Sequence, residues 1–139
     1  MKVFLSVKYH ADLGNADHVH HLVELLAFHR MQAVCGALES TRDALVHFTP
    51  DELMRHTFTT LRACKLVVVD LSEKGVGIGI EAGYATARGI PVITLAPAGA
   101  DVSETLSGIS QSVFWYHNWD ELNWFLGEVE RRFVPQGDA

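Results

Sequence analysis

The sequence contains few of the features that mark several large classes of protein. Its 139 residues include only two cysteines, Cys35 and Cys64, which are too few for a disulfide framework. Both adjoin apolar strand-like segments, so we expect two small buried side chains. No apolar run approaches the roughly 18 residues that span a bilayer, and the short run over residues 2–7 lacks the cleavage site of a signal peptide. We therefore expect a cytoplasmic protein.

Positive charge is also scarce. Eleven lysines and arginines stand against 17 aspartates and glutamates, which gives a formal net charge of −6. The basic residues form no cluster, so the sequence argues against a nucleic-acid polymer or a membrane surface as a partner. Small anionic ligands remain compatible with this composition, because they need only a local pocket.

The composition that remains is that of one globular domain. Hydrophobic residues make up 48% of the chain and charged residues 20%, values typical of folded proteins. A length of 139 residues fits one domain, and no repeat, linker or low-complexity run divides it. We expect a single domain over residues 1–139.

Strand-like and helical segments alternate along the chain. Strands are expected over residues 2–7, 32–36, 65–71, 90–95 and 113–116. Helices are expected over residues 17–31, 50–63, 80–88 and 120–133, with a short one within 105–112 and Thr49 as the N-cap of the second. Residues 37–49 are otherwise unassigned. This alternation predicts a flavodoxin-like, three-layer α/β domain with a parallel sheet of about five strands. Ligands of such a domain bind beyond the carboxyl ends of the strands.

The most informative segment follows the central apolar strand, where Gly75, Gly77 and Gly79 alternate and Glu81 follows. We expect a turn over residues 72–79, in which glycines allow unusual backbone angles and close approach of a ligand. The helix that follows would offer its first amides to a polar or anionic group. In the first turn of that helix, the dipole would keep Glu81 ionised and available as a nucleophile or base.

The same residues admit simpler interpretations. The glycines are also typical of a tight strand-to-helix crossing, with Glu81 as a dipole acid and Gly83 allowing close packing on the sheet. Residues 77–82 match the loose dinucleotide pattern G-x-G-x-x-A, but the next suitably spaced acid, Asp101, lies in a loop rather than at a strand tip. Asp70 ends the central strand, where it either contacts a sugar hydroxyl or caps the turn.

Histidines on the first helix raise the question of a metal site. His18 and His21 share one helical face, and His20 and Glu24 share another. No fourth ligand accompanies either pair, and a zinc site requires more than spacing. We expect a solvated helix face, with no metal and no cofactor.

The segment GIGIEAGYA (residues 77–85), followed by ARGIPV (residues 87–92), resembles the signature of the nucleoside 2-deoxyribosyltransferase family. This family includes the 2′-deoxynucleoside 5′-phosphate N-hydrolases and the cytidine monophosphate N-glycosidases. The resemblance covers most of the chain but is specific only between about residues 66 and 95. It implies that Glu81 attacks C1′ of deoxyribose to form a covalent glycosyl-enzyme, from which a second base or water takes the sugar. It also implies a homodimer or larger homo-oligomer.

Other family positions differ in this chain. Where the transferases carry an aspartate on the preceding helix, this sequence has Thr57, with His56 beside it as a candidate proton donor. Ser110 aligns with a serine that a neighbouring subunit donates. The first loop and the glycine turn, where the nucleotide hydrolases hold a phosphate, offer Ser6, Lys8, Tyr9 and Gly75. The missing aspartate leaves an alternative open: a nucleotide-binding or sensor domain of the same fold with reduced catalysis.

Overall fold

Five strands alternate with five helices in the part of the chain that the computed structural model describes, residues 1–8, 10, 14–34 and 48–137. In chain order they are β1 (Lys2–Val7), α1 (Ala16–Phe28), β2 (Gln32–Val34), α2 (Pro50–Arg62), β3 (Leu66–Asp70), α3 (Val76–Ala87), β4 (Val92–Pro97), α4 (Glu104–Ile109), β5 (Ser112–Tyr116) and α5 (Trp119–Phe133). Every strand pair is parallel, and the strand order is β2-β1-β3-β4-β5. The predicted flavodoxin-like, five-stranded architecture is confirmed.

The sheet buries a core on each of its faces, because successive strand residues point to opposite sides. Val3 and Leu5 of β1 pack with α1 and α5, whereas Phe4 packs with α2, α3 and α4. The same alternation continues to the carboxyl ends of the strands. It places Ser6 on the α2–α4 face and Asp70, at the end of β3, on the α1–α5 face.

The helix ends follow the sequence signals closely at α2 and α5. The hydroxyl of Thr49 accepts the backbone N–H of Glu52 and caps α2, as predicted. The side chain of Asn118 accepts the backbone N–H of Glu121 in the same way at the start of α5. The apolar face of α5 is directed inward, with Leu122, Leu126 and Val129 buried and Phe125 packed against them.

The start of α3 differs from the prediction. The helix begins at Val76 rather than near residue 80, so Gly77 and Gly79 are helical and the turn is confined to residues 71–75 instead of 72–79. Gly75 is the N-cap, with an extended φ of −160°. The turn is instead closed by Asp70, whose carboxylate accepts the backbone N–H of Ser72 at 3.2 Å. A side-chain acceptor makes this bend, so left-handed glycine angles are not needed.

Two helices end in the left-handed backbone region. Gly89 has φ +74° just past α3, a conformation that glycine adopts readily at the end of a helix. Arg30 has φ +60° and ends α1 at Phe28, three residues before the expected end. The chain reverses there, and Met31 enters the core with no exposed surface.

The expected burial of the cysteines is confirmed for the one that the structure describes. Cys64 is buried and its thiol donates to the carbonyl of Thr60; Cys35 lies outside the described residues. Among the described helices, none combines the length and the apolar character that crossing a membrane would require.

Candidate active site

Glu81 lies against the carboxyl end of β1. It is in the second turn of α3, five positions after Val76, and not in the first turn as predicted. Its side chain is half-buried, and its Oε1 accepts a hydrogen bond of 2.5 Å from the hydroxyl of Ser6, which is itself fully buried. The structure therefore brings together two of the predicted site residues, one from the strand and one from the helix.

The electrostatic prediction for Glu81 is wrong in its direction. Burial raises the pKa of this carboxyl from 4.5 to about 7, and the hydrogen bond from Ser6 opposes that rise. The helix dipole acts mainly within the first turn, which Glu81 has passed, whereas removal from water disfavours the charged form directly. A carboxyl group perturbed in this way at a sheet edge is a candidate functional group.

A second polar cluster surrounds Asp70 on the opposite face of the sheet. Oδ2 of Asp70 lies 2.7 Å from Nε2 of His18 in α1. Oδ1 accepts the hydroxyl of Ser72 at 2.8 Å, and the Tyr116 hydroxyl lies 3.4 Å from that of Ser72. Asp70 is only 1% exposed, so this buried carboxylate is held by several donors at once. Capping of the turn, one of the two roles considered for Asp70, is observed.

The expected solvated face of α1 is observed for His20, His21 and Glu24, which are exposed, but not for His18, which is half-buried. The hydrogen bond to Asp70 raises the pKa of His18, while partial burial opposes this. The ring of His21 stacks on Trp119, with 3.9 Å between ring centroids. Burial raises the pKa of the Tyr116 hydroxyl in the same cluster. The described residues contain no group of histidines, cysteines and carboxylates that could hold a metal ion.

A mostly apolar hollow of about 600 Å³ lies on another flank of α3, beside α4. Its lining includes Leu71, Val76, Leu106 and Ile109. Gly75, Gly79 and Gly83 line it at four-residue spacing, and a Cβ at Gly79 or Gly83 would meet no atom within 4 Å. Gly83 therefore faces this opening instead of the sheet, contrary to its predicted role. Glu81 is not part of the lining.

Thr57 stands where the transferases carry an aspartate, and His56 lies beside it. Among the described residues, neither side chain makes a hydrogen bond to Glu81. Thr57 is buried, and its hydroxyl donates to the carbonyl of Leu53 at 2.9 Å. His56 is exposed, with its ring 5.3 Å from that of Phe48. The hydroxyl of Thr57 is thus engaged within its own helix.

The residues expected to hold a phosphate are only partly assembled, and the serine expected to serve a neighbouring subunit is bonded within its own chain. The side chain of Lys8 lies along Gly75, 3.5 Å from the position of a Cβ there. Ser110 donates to the carbonyl of Leu106 at 2.7 Å and pairs with the Thr94 hydroxyl at 2.8 Å, so its hydroxyl is engaged within its own chain. Tyr9 lies outside the described residues.

Sequence reasoning missed the residues around Asp70. His18, Ser72 and Tyr116 come from three separate parts of the chain, and only the fold joins them. One local signal was available: His18 opens the helix that follows β1, and Asp70 ends the strand paired with β1. The spacing between the histidines drew attention to a metal instead.

The comparisons with known proteins support the fold. No protein-family model matches the sequence, and no curated protein does. Among solved structures, a 2-deoxyribosyltransferase from the psychrotolerant bacterium Bacillus psychrosaccharolyticus superposes with a TM-score of 0.71 at 12% identity, over 88% of this chain and 90% of that one. The CMP N-glycosidase BcmB of Clostridium botulinum gives 0.68 at 18% identity, over 93% and 99%. A response regulator receiver domain from Clostridium thermocellum gives 0.58 at 10% identity, over 95% and 96%. The architecture is thus shared by proteins with different activities, and activity must be argued from the site.

Proposed function

We propose that this chain cleaves or exchanges the N-glycosidic bond of a nucleoside, a deoxynucleoside or a 5′-monophosphate of either, with Glu81 as the nucleophile. The observation that carries the proposal is the half-buried Glu81 carboxyl, fixed by Ser6 at the carboxyl edge of a parallel sheet. A 2-deoxyribosyltransferase and a CMP N-glycosidase share the fold over nearly the whole chain. The glycine and glutamate pattern of residues 77–85 supports the same chemistry.

The environment of Glu81 suits a carboxylate that attacks a sugar. The transition state at C1′ has oxocarbenium character, so a carboxylate held nearby stabilises the developing positive charge. Ser6 orients Oε1, which leaves Oε2 to form the bond to C1′. Formation of the glycosyl ester converts a charge that burial disfavours into a neutral group, so attack relieves the desolvation that raises the pKa of Glu81 to about 7.

The decisive test is Glu81→Gln, assayed by chromatography for free base on a panel of nucleosides, deoxynucleosides and their 5′-monophosphates. Glutamine keeps the shape of the side chain but cannot act as the nucleophile, so base release should be abolished. Glu24→Gln on the exposed surface of α1 is the matched control. Undiminished turnover by Glu81→Gln would refute the mechanism. Addition of a second free base distinguishes exchange from hydrolysis.

Thr57 favours one alternative function, that of a nucleotide-binding or sensor domain with reduced catalysis. The hydroxyl at this position is occupied by the carbonyl of Leu53, so the family's usual acid has no replacement at that position. One compound of the panel would raise the thermal midpoint of such a domain, and no free base would be released from that compound. Base release from the same compound would exclude this alternative.

Assembly into a homodimer or larger homo-oligomer is part of the proposal. Several large apolar side chains are exposed in this chain: Val76 is 82% exposed, Trp124 61% and Trp115 46%. Exposed apolar groups of this size are candidates for burial between subunits. Light scattering at working concentration tests this, and a strictly monomeric species would count against it.

A further inference from the structure

The connections that leave the neighbouring strands β1 and β3 at their carboxyl ends run to opposite faces of the sheet. The two strands are neighbours, yet β1 is followed by α1 on one face and β3 by α3 on the other. A crevice opens at such a point in doubly wound sheets, and ligands bind there. Ser6 lies opposite Val69 and Val7 lies opposite Asp70.

The Ser6–Glu81 pair and the His18–Asp70 pair therefore flank this crevice from the two faces of the sheet. They belong to adjacent strands, which run about 4.8 Å apart, and they are offset by one residue in register. A nucleoside-sized ligand seated over the strand ends has one pair on each side.

His18 is held in a way that leaves one edge of its ring for a ligand. Its side chain is 29% exposed, whereas that of Asp70 is 1% exposed. Nε2 is directed at Asp70, and Nδ1 makes no hydrogen bond to any other described residue. Asp70 is fixed in turn by the hydroxyl and the backbone N–H of Ser72. A carboxylate behind an imidazole fixes the orientation of the ring and stabilises its protonated form, as in other proton-transfer sites.

We propose that His18 is the proton-transfer residue of this site and that Asp70 is its positioning residue; the inference rests on the proposed function. In the first step Glu81 bonds to C1′, the C1′–N bond breaks with its electron pair on the leaving base, and the proton on Nδ1 of His18 passes to that base. In the second step the oxygen of water bonds to C1′, the bond to Glu81 breaks, and Nδ1 accepts the proton from water. In exchange, the incoming base takes the place of water and gives its proton to Nδ1.

His18 is preferred over Thr57, the position aligned with the family's aspartate, because an imidazole can both hold and release a proton. The hydroxyl of Thr57 donates to the carbonyl of Leu53 within the same helix. The groups facing His18 are the carboxylate of Asp70 from β3, the hydroxyl of Ser72 after β3 and the ring of Trp119 from α5. The Tyr116 hydroxyl of β5 lies behind Ser72, and His21 stacks on Trp119 from α1. Asp70 is the carboxylate that contacts His18 among the described residues, and its hydrogen bond raises the pKa of His18.

The test is the pH profile of kcat/KM for the full chain and for His18→Gln, with His20→Gln as the control on the exposed face of α1. The pH profile of kcat/KM for the unmodified chain should be bell-shaped, because Glu81 must be ionised and His18 protonated. His18→Gln should lose the alkaline limb and about 100-fold or more of its activity, the usual contribution of a general acid. The loss should shrink for a substrate whose base carries an electron-withdrawing fluorine, because a better leaving group needs less protonation.

A second readout does not depend on turnover. The imidazole of His18 is titrated by NMR in the unmodified chain and in Asp70→Asn, where the midpoint should fall because the carboxylate is gone. An unchanged midpoint would overturn the positioning role of Asp70. A His18→Gln profile that keeps its alkaline limb, while Glu81→Gln releases no base, would overturn the role of His18 and leave the proposed function standing. Absence of base release from the unmodified chain across the whole panel would overturn both.

Discussion

Replacement of Glu81 by glutamine should stabilise the protein while it abolishes activity. In the folded chain the pKa of this carboxyl is raised from 4.5 to about 7, so folding disfavours its charged form. The stability associated with Glu81 is fully present below pH 4.5 and is lost as the pH rises through about 7. Glutamine does not ionise, so a Glu81→Gln variant avoids that loss and still presents an oxygen to the hydroxyl of Ser6.

The size of the gain follows from the shift in pKa. A change of one in pKa corresponds to about 1.4 kcal/mol, so the free energy of unfolding of Glu81→Gln should exceed that of the unmodified chain by up to about 3 kcal/mol above pH 8. At pH 5 the folded chain holds Glu81 mostly protonated, and the gain should be below about 1 kcal/mol. The gain should therefore appear mainly between pH 5 and pH 8.

Urea denaturation at pH 5.0 and pH 8.5, followed by circular dichroism, measures this difference. Glu24→Gln is the control, because it makes the same change of side chain on the exposed surface of α1. A gain for Glu81→Gln that is equal at the two pH values would show that packing, and not desolvation of charge, is responsible. A loss of stability at pH 8.5 would refute the reasoning, since it would mean that the native state favours the ionised form.

Three further predictions concern single contacts. Ser6→Ala removes the hydrogen bond that lowers the pKa of Glu81, so the acid limb of the pH–rate profile should move to higher pH; an unmoved limb would contradict that role. His29 is 7% exposed and joins α1 to α5 through two side-chain hydrogen bonds. His29→Ala should cost roughly 1–3 kcal/mol in urea denaturation, and a cost near zero would show that water replaces those bonds. Two glycine variants form a matched pair: Gly83→Ala, helical and open to solvent, should gain about 0.5–1 kcal/mol, whereas Gly89→Ala, at φ +74°, should lose about 1 kcal/mol or more. Equal thermal midpoints for that pair would contradict the argument from backbone conformation.

The architecture could be predicted from the sequence because strand and helix signals were strong and alternated. A strand such as β3, apolar on both faces, is characteristic of the centre of a parallel sheet, and the structure buries all five of its residues. The start of α3 could not be placed in the same way. Glycine is a poor helix former, so Gly77 and Gly79 argued for a turn, while tertiary packing of Ile78, Ala82 and Ala85 on the sheet determined the helix.

The protonation state of Glu81 also depended on information that the sequence does not carry. Position within a helix can be estimated from a pattern, but burial depends on which strand lies beneath the side chain. Ser6 is 75 residues away along the chain, and only the pairing of β1 with β3 brings it under α3. The helix dipole acts on residues at a helix end, whereas packing against the sheet makes Glu81 a desolvated acid.

The carboxyl edge of the sheet carries one polar pair on each of its two faces, and this placement determines how the candidate site is assembled. Strand alternation sends Ser6 to one face and Asp70 to the other, so each of the adjacent strands β1 and β3 supplies a polar group to a different layer. The helices on those layers then supply the partners, Glu81 from α3 and His18 from α1. In the proposed reaction the nucleophile attacks C1′ while the proton-transfer group serves the leaving base, and the two faces of the sheet hold these groups apart before the substrate arrives. Since the two pairs share no residue and join different helices to the sheet, substitution in one pair should leave the pKa of the other nearly unchanged, which NMR titration of His18 in Glu81→Gln would measure.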